Sequence, residues 1–199
     1  MTDSRGVSYR IDAFDRITGV DPGWVAFARA NAGESLLPPG IIGRSLWNWI
    51  ADPTTTQVYR DIIARVRHGA GPVRFNFRCD APSLRRLLQM RIAVSADEVT
   101  FETRLLDAQL RAGVCLIDAE ARRSDAHIVI CGWCMRLPVD GDWLEIEDAI
   151  SVLQLFDAAM MPRLSHDMCP RCVTTMEETL TSPDANDALP ATLGALPAT

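Results

Sequence analysis

Val73-Arg74-Phe75-Asn76-Phe77-Arg78-Cys79 alternates apolar and polar side chains, and two further strand-like runs follow it, Arg85 to Val94 and Val99 to Leu106. Asp80-Ala81-Pro82-Ser83 and Ser95-Ala96-Asp97 part the three runs with residues that favour turns. A period of two with Val73, Phe75 and Phe77 on one side predicts antiparallel strands with one face buried. A sheet therefore stands at the centre of the first half of the chain.

Towards the N-terminus, Val7 to Phe14 and Ile17 to Val20 read as two short strands, with Tyr9, Ile11 and Ala13 on one face. Asp21-Pro22-Gly23-Trp24 is a helix start, an Asp cap followed by Pro in the first turn, and opens a short helix to about Asn31. Gly33 to Gly43 contains Pro38-Pro39-Gly40 and is predicted to hold no regular structure. After Gly43-Arg44-Ser45-Leu46-Trp47-Asn48-Trp49-Ile50, Asp52-Pro53 starts a second helix. It runs to about Arg67, with Val58, Ile62, Ile63 and Val66 on one face, and Gly69 ends it.

Towards the C-terminus, residues 109–125 connect the sheet to a cysteine-bearing segment, with Val114 to Ile117 a candidate strand inside the connection. His127-Ile128-Val129-Ile130 leads as a strand into Cys131-Gly132-Trp133-Cys134. Asp142-Trp143-Leu144-Glu145 has the spacing of a capping box. It predicts a helix to about Met160, with Ile146, Ala149, Ile150, Leu153 and Phe156 as its apolar stripe and Pro162 ending it. Leu164-Ser165-His166 then leads into a second doublet, Cys169-Pro170-Arg171-Cys172.

Four of the six cysteines lie in these doublets, 34 residues apart, and Gly132 and Pro170 suit tight turns. Two Cys-x-x-Cys turns can point four thiolates at the corners of a tetrahedron, the coordination a structural Zn²⁺ prefers. Met1-Thr2-Asp3-Ser4-Arg5 lacks the basic start and apolar run of a secretory signal, and no apolar stretch is long enough to span a bilayer. A cytoplasmic location is expected, where thiols stay reduced and paired cysteines serve metal or redox chemistry. Cys131, Cys134, Cys169 and Cys172 are the predicted metal ligands. His166, three residues before Cys169, is an alternative ligand or, since four thiolates complete a tetrahedron, a hydrogen-bonding neighbour of them. The segment from 126 to 181 is too short to be stable without a staple, which a bound metal supplies.

Two strands, a cluster of short helices and three strands resemble the order of a PAS sensor domain. The residues that carry the likeness are Trp24-x-x-Phe27-Ala28-x-x-Asn31, the Gly43-Arg44-Ser45-Leu46-Trp47 run, the Tyr59 to Arg67 helix, and Phe77-Arg78-Cys79-Asp80-x-Pro82-x-x-x-Arg86. The whole chain is similar to bacterial PAS proteins that end in a Cys-x-Trp-Cys … His-x-x-Cys-Pro-x-Cys module. Those positions here are Cys131, Trp133, Cys134, His166, Cys169, Pro170 and Cys172. The resemblance implies an α+β fold: a PAS-like five-stranded antiparallel sheet with helices over one face, often with a small cavity between them. A small zinc-ribbon-like Cys₄ module would follow it. The domains expected are residues 1–108 (the sensor, able to fold alone), 109–125 (connector), 126–181 (metal module) and 182–199. The last, rich in Ala, Pro, Leu and Thr, is expected to be disordered. Some PAS domains hold haem or flavin. The flavin photosensors carry an Asn-Cys-Arg-Phe-Leu-Gln stretch that this chain lacks, and Cys79 lies on a strand rather than in a helix, so no photocycle is expected. His68, at a helix end, is read as interacting with the helix dipole rather than with haem.

Charge and absence bound the function. The twenty basic residues are all arginine. Residues 1–108 carry 14 Arg against 12 acids, whereas residues 109–199 carry 6 against 14. A cysteine segment of net −8 is a poor match for phosphates, so no nucleic-acid partner is expected. No phosphate-cradling loop with its lysine and no nucleophile–base grouping stands out. Cys79 and Cys115 read as buried small apolar residues, and the tryptophans as packing anchors, with Trp133 covering the thiolates. The expectation is a non-enzymatic cytoplasmic signalling protein with a structural zinc, acting through a partner protein or as a homodimer. The run Ile41-Ile42 with Trp47 and Trp49 is a candidate apolar surface for that contact. Two rivals are a thiol redox or metal sensor using the same cysteines, and a zinc enzyme, which needs an open coordination position that four thiolates do not leave.

Overall fold

The structure, a computed structural model, describes residues 6–31, 33–50, 52–155 and 158–181. The segment 182–199, expected to be disordered, and Phe156 of the expected helix stripe lie outside the described residues.

The fold is α+β, and the described residues form a five-stranded antiparallel sheet, two smaller two-stranded sheets and four α-helices. Strands β1 (Ser8–Ile11) and β2 (Ile17–Val20) form a short antiparallel pair. Helix α1 (Pro22–Ala30) starts where Asp21 Oδ1 accepts the Trp24 N–H at 2.7 Å. Helix α2 (Pro53–Arg67) starts at Asp52, whose carboxylate accepts from the Thr54 and Thr55 N–H groups at 3.0 and 2.9 Å. It ends at His68 and Gly69, and the latter's φ of +78° is one that glycine adopts without strain. Strands β3 (Val73–Arg78), β4 (Leu84–Ser95) and β5 (Glu98–Leu110) complete the sheet in the order β2-β1-β5-β4-β3. Phe75 lies opposite Met90 and Ile92 opposite Phe101, so successive strands place their large apolar residues on one face. Together with Ile62, Ile63 and Val66 of α2, these make the buried core.

Strand β6 (Arg123–Cys131) pairs in parallel with β9 (Met161–Asp167). Between them lie a hairpin of β7 (Leu137–Val139) and β8 (Asp142–Leu144) and the short helix α3 (Ile146–Val152). Leu116, Ile130, Leu137, Ile146, Ala149 and Met161 form a second, smaller core. Helix α4 (Pro170–Thr181) packs on α2 and β3.

Five local expectations are corrected. The predicted helix from Asp142 to Met160 is β8 followed by α3 alone, because Trp143 pairs with Pro138 and Glu145 makes no capping bond. Gln154 closes that helix with φ +54°, where the Leu155 N–H bonds the Ile150 carbonyl at 3.0 Å. The region read as irregular between Gly33 and Gly43 contains a 3₁₀ turn, Glu34–Leu36. Cys115–Ile117 is a 3₁₀ turn rather than part of a strand, and Cys115 is exposed rather than buried. The first strand ends at Ile11, since the Asp12 carboxylate accepts from the Phe14 and Arg16 N–H groups and turns the chain.

Candidate metal centre

The first doublet sits where β6 ends. Cys131 N–H donates to the Arg136 carbonyl at 2.8 Å and the Met135 N–H donates back to the Cys131 carbonyl at 2.9 Å, closing a tight turn. Met135 takes φ +61° to let the chain reverse. The second doublet is not in a hairpin turn, as the zinc-ribbon expectation had it, but in the first turn of α4. Pro170 opens that helix, and the Val173 N–H reaches the Cys169 carbonyl at 3.0 Å. The start of a helix favours negative charge, which suits thiolates at Cys169 and Cys172.

These two turns bring the four sulfurs together. The Sγ atoms of Cys131, Cys134, Cys169 and Cys172 all lie within 4.8 Å of one another. Cys134 and Cys169 are 3.7 Å apart. A tetrahedron with Zn–S bonds of 2.3 Å has S···S edges of about 3.8 Å, so the spacing suits a metal bound inside the set. Cys131, Cys169 and Cys172 are buried, and Cys134 is half-buried. The Cys169 N–H points at the Cys131 sulfur at 3.4 Å, a bond that favours a thiolate there.

The thiols divide their protons unequally. The hydrogen bond with Cys134 lowers Cys131 to about 7, and hydrogen bonds from Cys131, Cys134 and Cys172 hold Cys169 far below the usual thiol range. The bond with Cys131, then that with Cys169, pushes Cys134 up, and Cys172 is raised in the same way. A divalent cation in their midst would displace the thiol protons and hold all four as thiolates. The donor set is all sulfur, which selects zinc or another thiophilic metal over magnesium or calcium.

His166, the alternative ligand, is outside the sulfur cluster. It is exposed on β9 beside Gly132, opposite Ile130 in the strand pairing. His68 is exposed at the end of α2, its Nδ1 2.6 Å from the Ala64 carbonyl oxygen. Of the run expected to offer apolar surface, Ile41 is buried and Trp47 is held by its Nε1 donating to Asp15 at 2.9 Å under the Arg60 guanidinium. Ile42 and Trp49 are the exposed members.

The cysteine turn is joined to the sheet, not merely tethered to it. Trp133, 4% exposed, packs at a tilt against Phe75 with ring centroids 4.5 Å apart and against Tyr59 at 5.9 Å. Its carbonyl accepts the Arg78 N–H at 2.8 Å, continuing past the end of β3. Cys131, Trp133, Met168, Cys169, Cys172 and Met176 therefore belong to the same buried cluster as the sheet and α2.

Charged residues to which the sequence assigned no part in the site complete the surroundings. Arg78 and Arg111 flank the fully buried Asp80 carboxylate. Arg78 continues to Glu145, and Arg111 to Glu147 at 2.7 Å. Arg136 holds Glu145 at 3.0 Å from the other side. Burial disfavours the Arg78 cation, but the hydrogen bond and charge of Asp80, with Glu145 and Glu147, more than restore it. Arg136 likewise ends raised, by Glu145 and by the charges of Cys134 and Cys169. A tetrathiolate with a dication carries −2, so an arginine facing it and another whose Nη1 bonds the Cys134 carbonyl at 3.4 Å offset that charge. Glu145 was legible only as the fourth residue of a capping box, and its role came from what the tertiary fold set against it.

No helix among the described residues is long and apolar enough to cross a membrane. No protein-family model matches the chain, and no curated protein matches it with significance.

Proposed function

We propose that the protein is a non-enzymatic cytoplasmic regulator in which a PAS-like sensor sheet is stiffened by a structural zinc and the signal passes to a partner protein or a second copy. The carrying observation is the four-sulfur cluster, closed by its own ligands and packed through Trp133 onto the sheet. Four thiolates leave no coordination position for a substrate, so the metal serves folding. The strand order β2-β1-β5-β4-β3, with the helices falling between the second and third strands, supports the PAS-like reading. The acidic charge of the cysteine half supports a protein partner rather than nucleic acid.

The test is elemental analysis of protein purified under reducing conditions without added metal, with thiols counted in parallel. About one zinc per chain is expected, lost in Cys169→Ser together with the packing of the second half. Metal-free protein with all six thiols free, or with the four clustered cysteines in two disulfides, would reject the reading.

One observation favours a thiol sensor as the second reading: Cys134 is half-buried and its sulfur is 3.7 Å from that of Cys169. A peroxide would oxidise one thiolate to the sulfenic acid with loss of hydroxide. Attack by the other thiolate would then form the disulfide, release a second hydroxide and displace the metal. Zinc release at stoichiometric peroxide, reversed by a thiol reductant, would distinguish it from a purely structural site.

A further inference from the structure

A cavity of about 700 Å³ opens between the sheet, the start of α2 and the first cysteine turn. Tyr9 and Phe75 of the sheet, Tyr59 of α2, and Gly132 and Trp133 of the cysteine turn line it. Ser165 and His166 of β9 stand at its edge. One wall is thus made by the same turn that carries Cys131 and Cys134. Its volume is within the range of small-molecule sites, about 300–1,000 Å³.

The lining says what chemistry would fit. Aromatic side chains dominate it, and no arginine is among the described residues that line it. Asp52 also lines it, but its carboxylate is occupied in capping α2, which leaves the helix start without free N–H groups for an anion. No described residue hydrogen-bonds the hydroxyl of Tyr9 or of Tyr59. Burial pushes the Tyr59 phenol up to about 12 and raises that of Tyr9 well above its ordinary value, with Tyr59 adding to it, so both remain neutral donors at ordinary pH. Phenol donors in an aromatic slot want an acceptor oxygen on a flat apolar body.

We propose that this cavity binds a small, uncharged, planar aromatic compound bearing a carbonyl oxygen, and that ligand and metal stabilise one another through the Cys131–Cys134 turn. The ligand lies against the cavity-facing surfaces of Trp133, Tyr59 and Tyr9, which line the site, while its oxygen accepts from Tyr59 or Tyr9. The metal fixes Cys131 and Cys134, and with them the placement of Trp133. Removing the metal loosens that wall, and by reciprocity a bound ligand resists metal loss. The coupling rests on the structural-metal reading above, whereas the ligand site does not.

The probe is 6-propionyl-2-dimethylaminonaphthalene, an uncharged planar ketone whose emission shifts to the blue in an apolar site. It is titrated into the full-length protein as isolated, with the zinc content measured on the same sample. Saturable binding with a blue shift is expected. Tyr59→Phe and Tyr9→Phe, tested singly and together, should weaken binding by up to about tenfold with the zinc content unchanged. Ser165→Trp, which fills the mouth, should weaken it more. The anionic 1-anilinonaphthalene-8-sulfonate should bind more weakly than the ketone. Chelation should lower affinity for the ketone, and the ketone should slow zinc transfer to the chelator.

No saturable binding by zinc-loaded protein overturns the ligand site and leaves the metal reading standing. Equal affinity in the tyrosine variants, or equal binding of the sulfonate, also overturns it. Binding that ignores chelation overturns the coupling. Zinc-free protein that still binds the ketone overturns the metal reading and the coupling but supports the cavity.

Discussion

At the scale of single residues, Trp133 and Asp80 decide most. Trp133 fixes the cysteine turn against Phe75 and Tyr59, and its side chain is almost wholly buried. Trp133→Ala should cost about 3–5 kcal/mol, seen as a lower urea midpoint, and should speed zinc loss to a chelator. Asp80 has no exposed side-chain surface and lies between Arg78 and Arg111. Asp80→Ala strands two buried cations and should destabilise by about 3–5 kcal/mol, whereas Arg91→Ala, an exposed partner of Glu102, should cost under about 1 kcal/mol. Glu147 supplies the pH dependence. Burial raises its carboxyl, but Arg111 and Arg85 outweigh that and hold it below the ordinary carboxylate value. A depressed folded pKa gives stability that is present above the unfolded value, about 4.3, and is lost as pH falls through the folded one. The urea midpoint should therefore fall below about pH 5, and Glu147→Gln should flatten that fall.

At the scale of elements, helix ends are where sequence signals were strongest and where one misled. Asp21 and Asp52 cap α1 and α2 as read, each with a proline in the first turn. Asp142-x-x-Glu145 has the same kind of spacing, yet Asp142–Leu144 pairs as β8 with β7. The hydrophobic periodicity beyond it was real for about two turns and was then cut by Gln154, an exposed residue at φ +54°. Gln154→Gly should therefore stabilise the protein by about 0.5–1 kcal/mol, because only a residue with a Cβ bears the left-handed penalty; thermal unfolding would show it as a higher Tm.

At the scale of the whole molecule, the two halves share a core. Cys131, Trp133, Met168 and Met176 bury the same aromatics that the sheet and α2 bury, and the Trp133 carbonyl accepts a backbone N–H at the end of β3. A fragment of residues 1–113 should still give a mixed α/β far-UV spectrum, since the five strands, α1 and α2 lie within it. It should also self-associate and unfold at lower urea than the full chain, because Phe75, Phe77 and the end of β3 lose their cover. A monomeric fragment as stable as the whole would refute that account.

What the sequence determined by itself is local. Alternating residues wrote β3 to β5, Asp-Pro pairs wrote two helix starts, and two cysteine spacings identified the four sulfurs that come together. Periodicity and capping act within a few residues, so they can be read without the fold. Tertiary structure alone decided that the second doublet opens a helix and that β6 and β9 run parallel. It also decided that Arg78, Arg85, Arg111 and Arg136 meet Asp80, Glu145 and Glu147. Those partners lie as far as 67 residues apart in the chain, and a charge discloses its partner only once burial has removed the water that would otherwise solvate it.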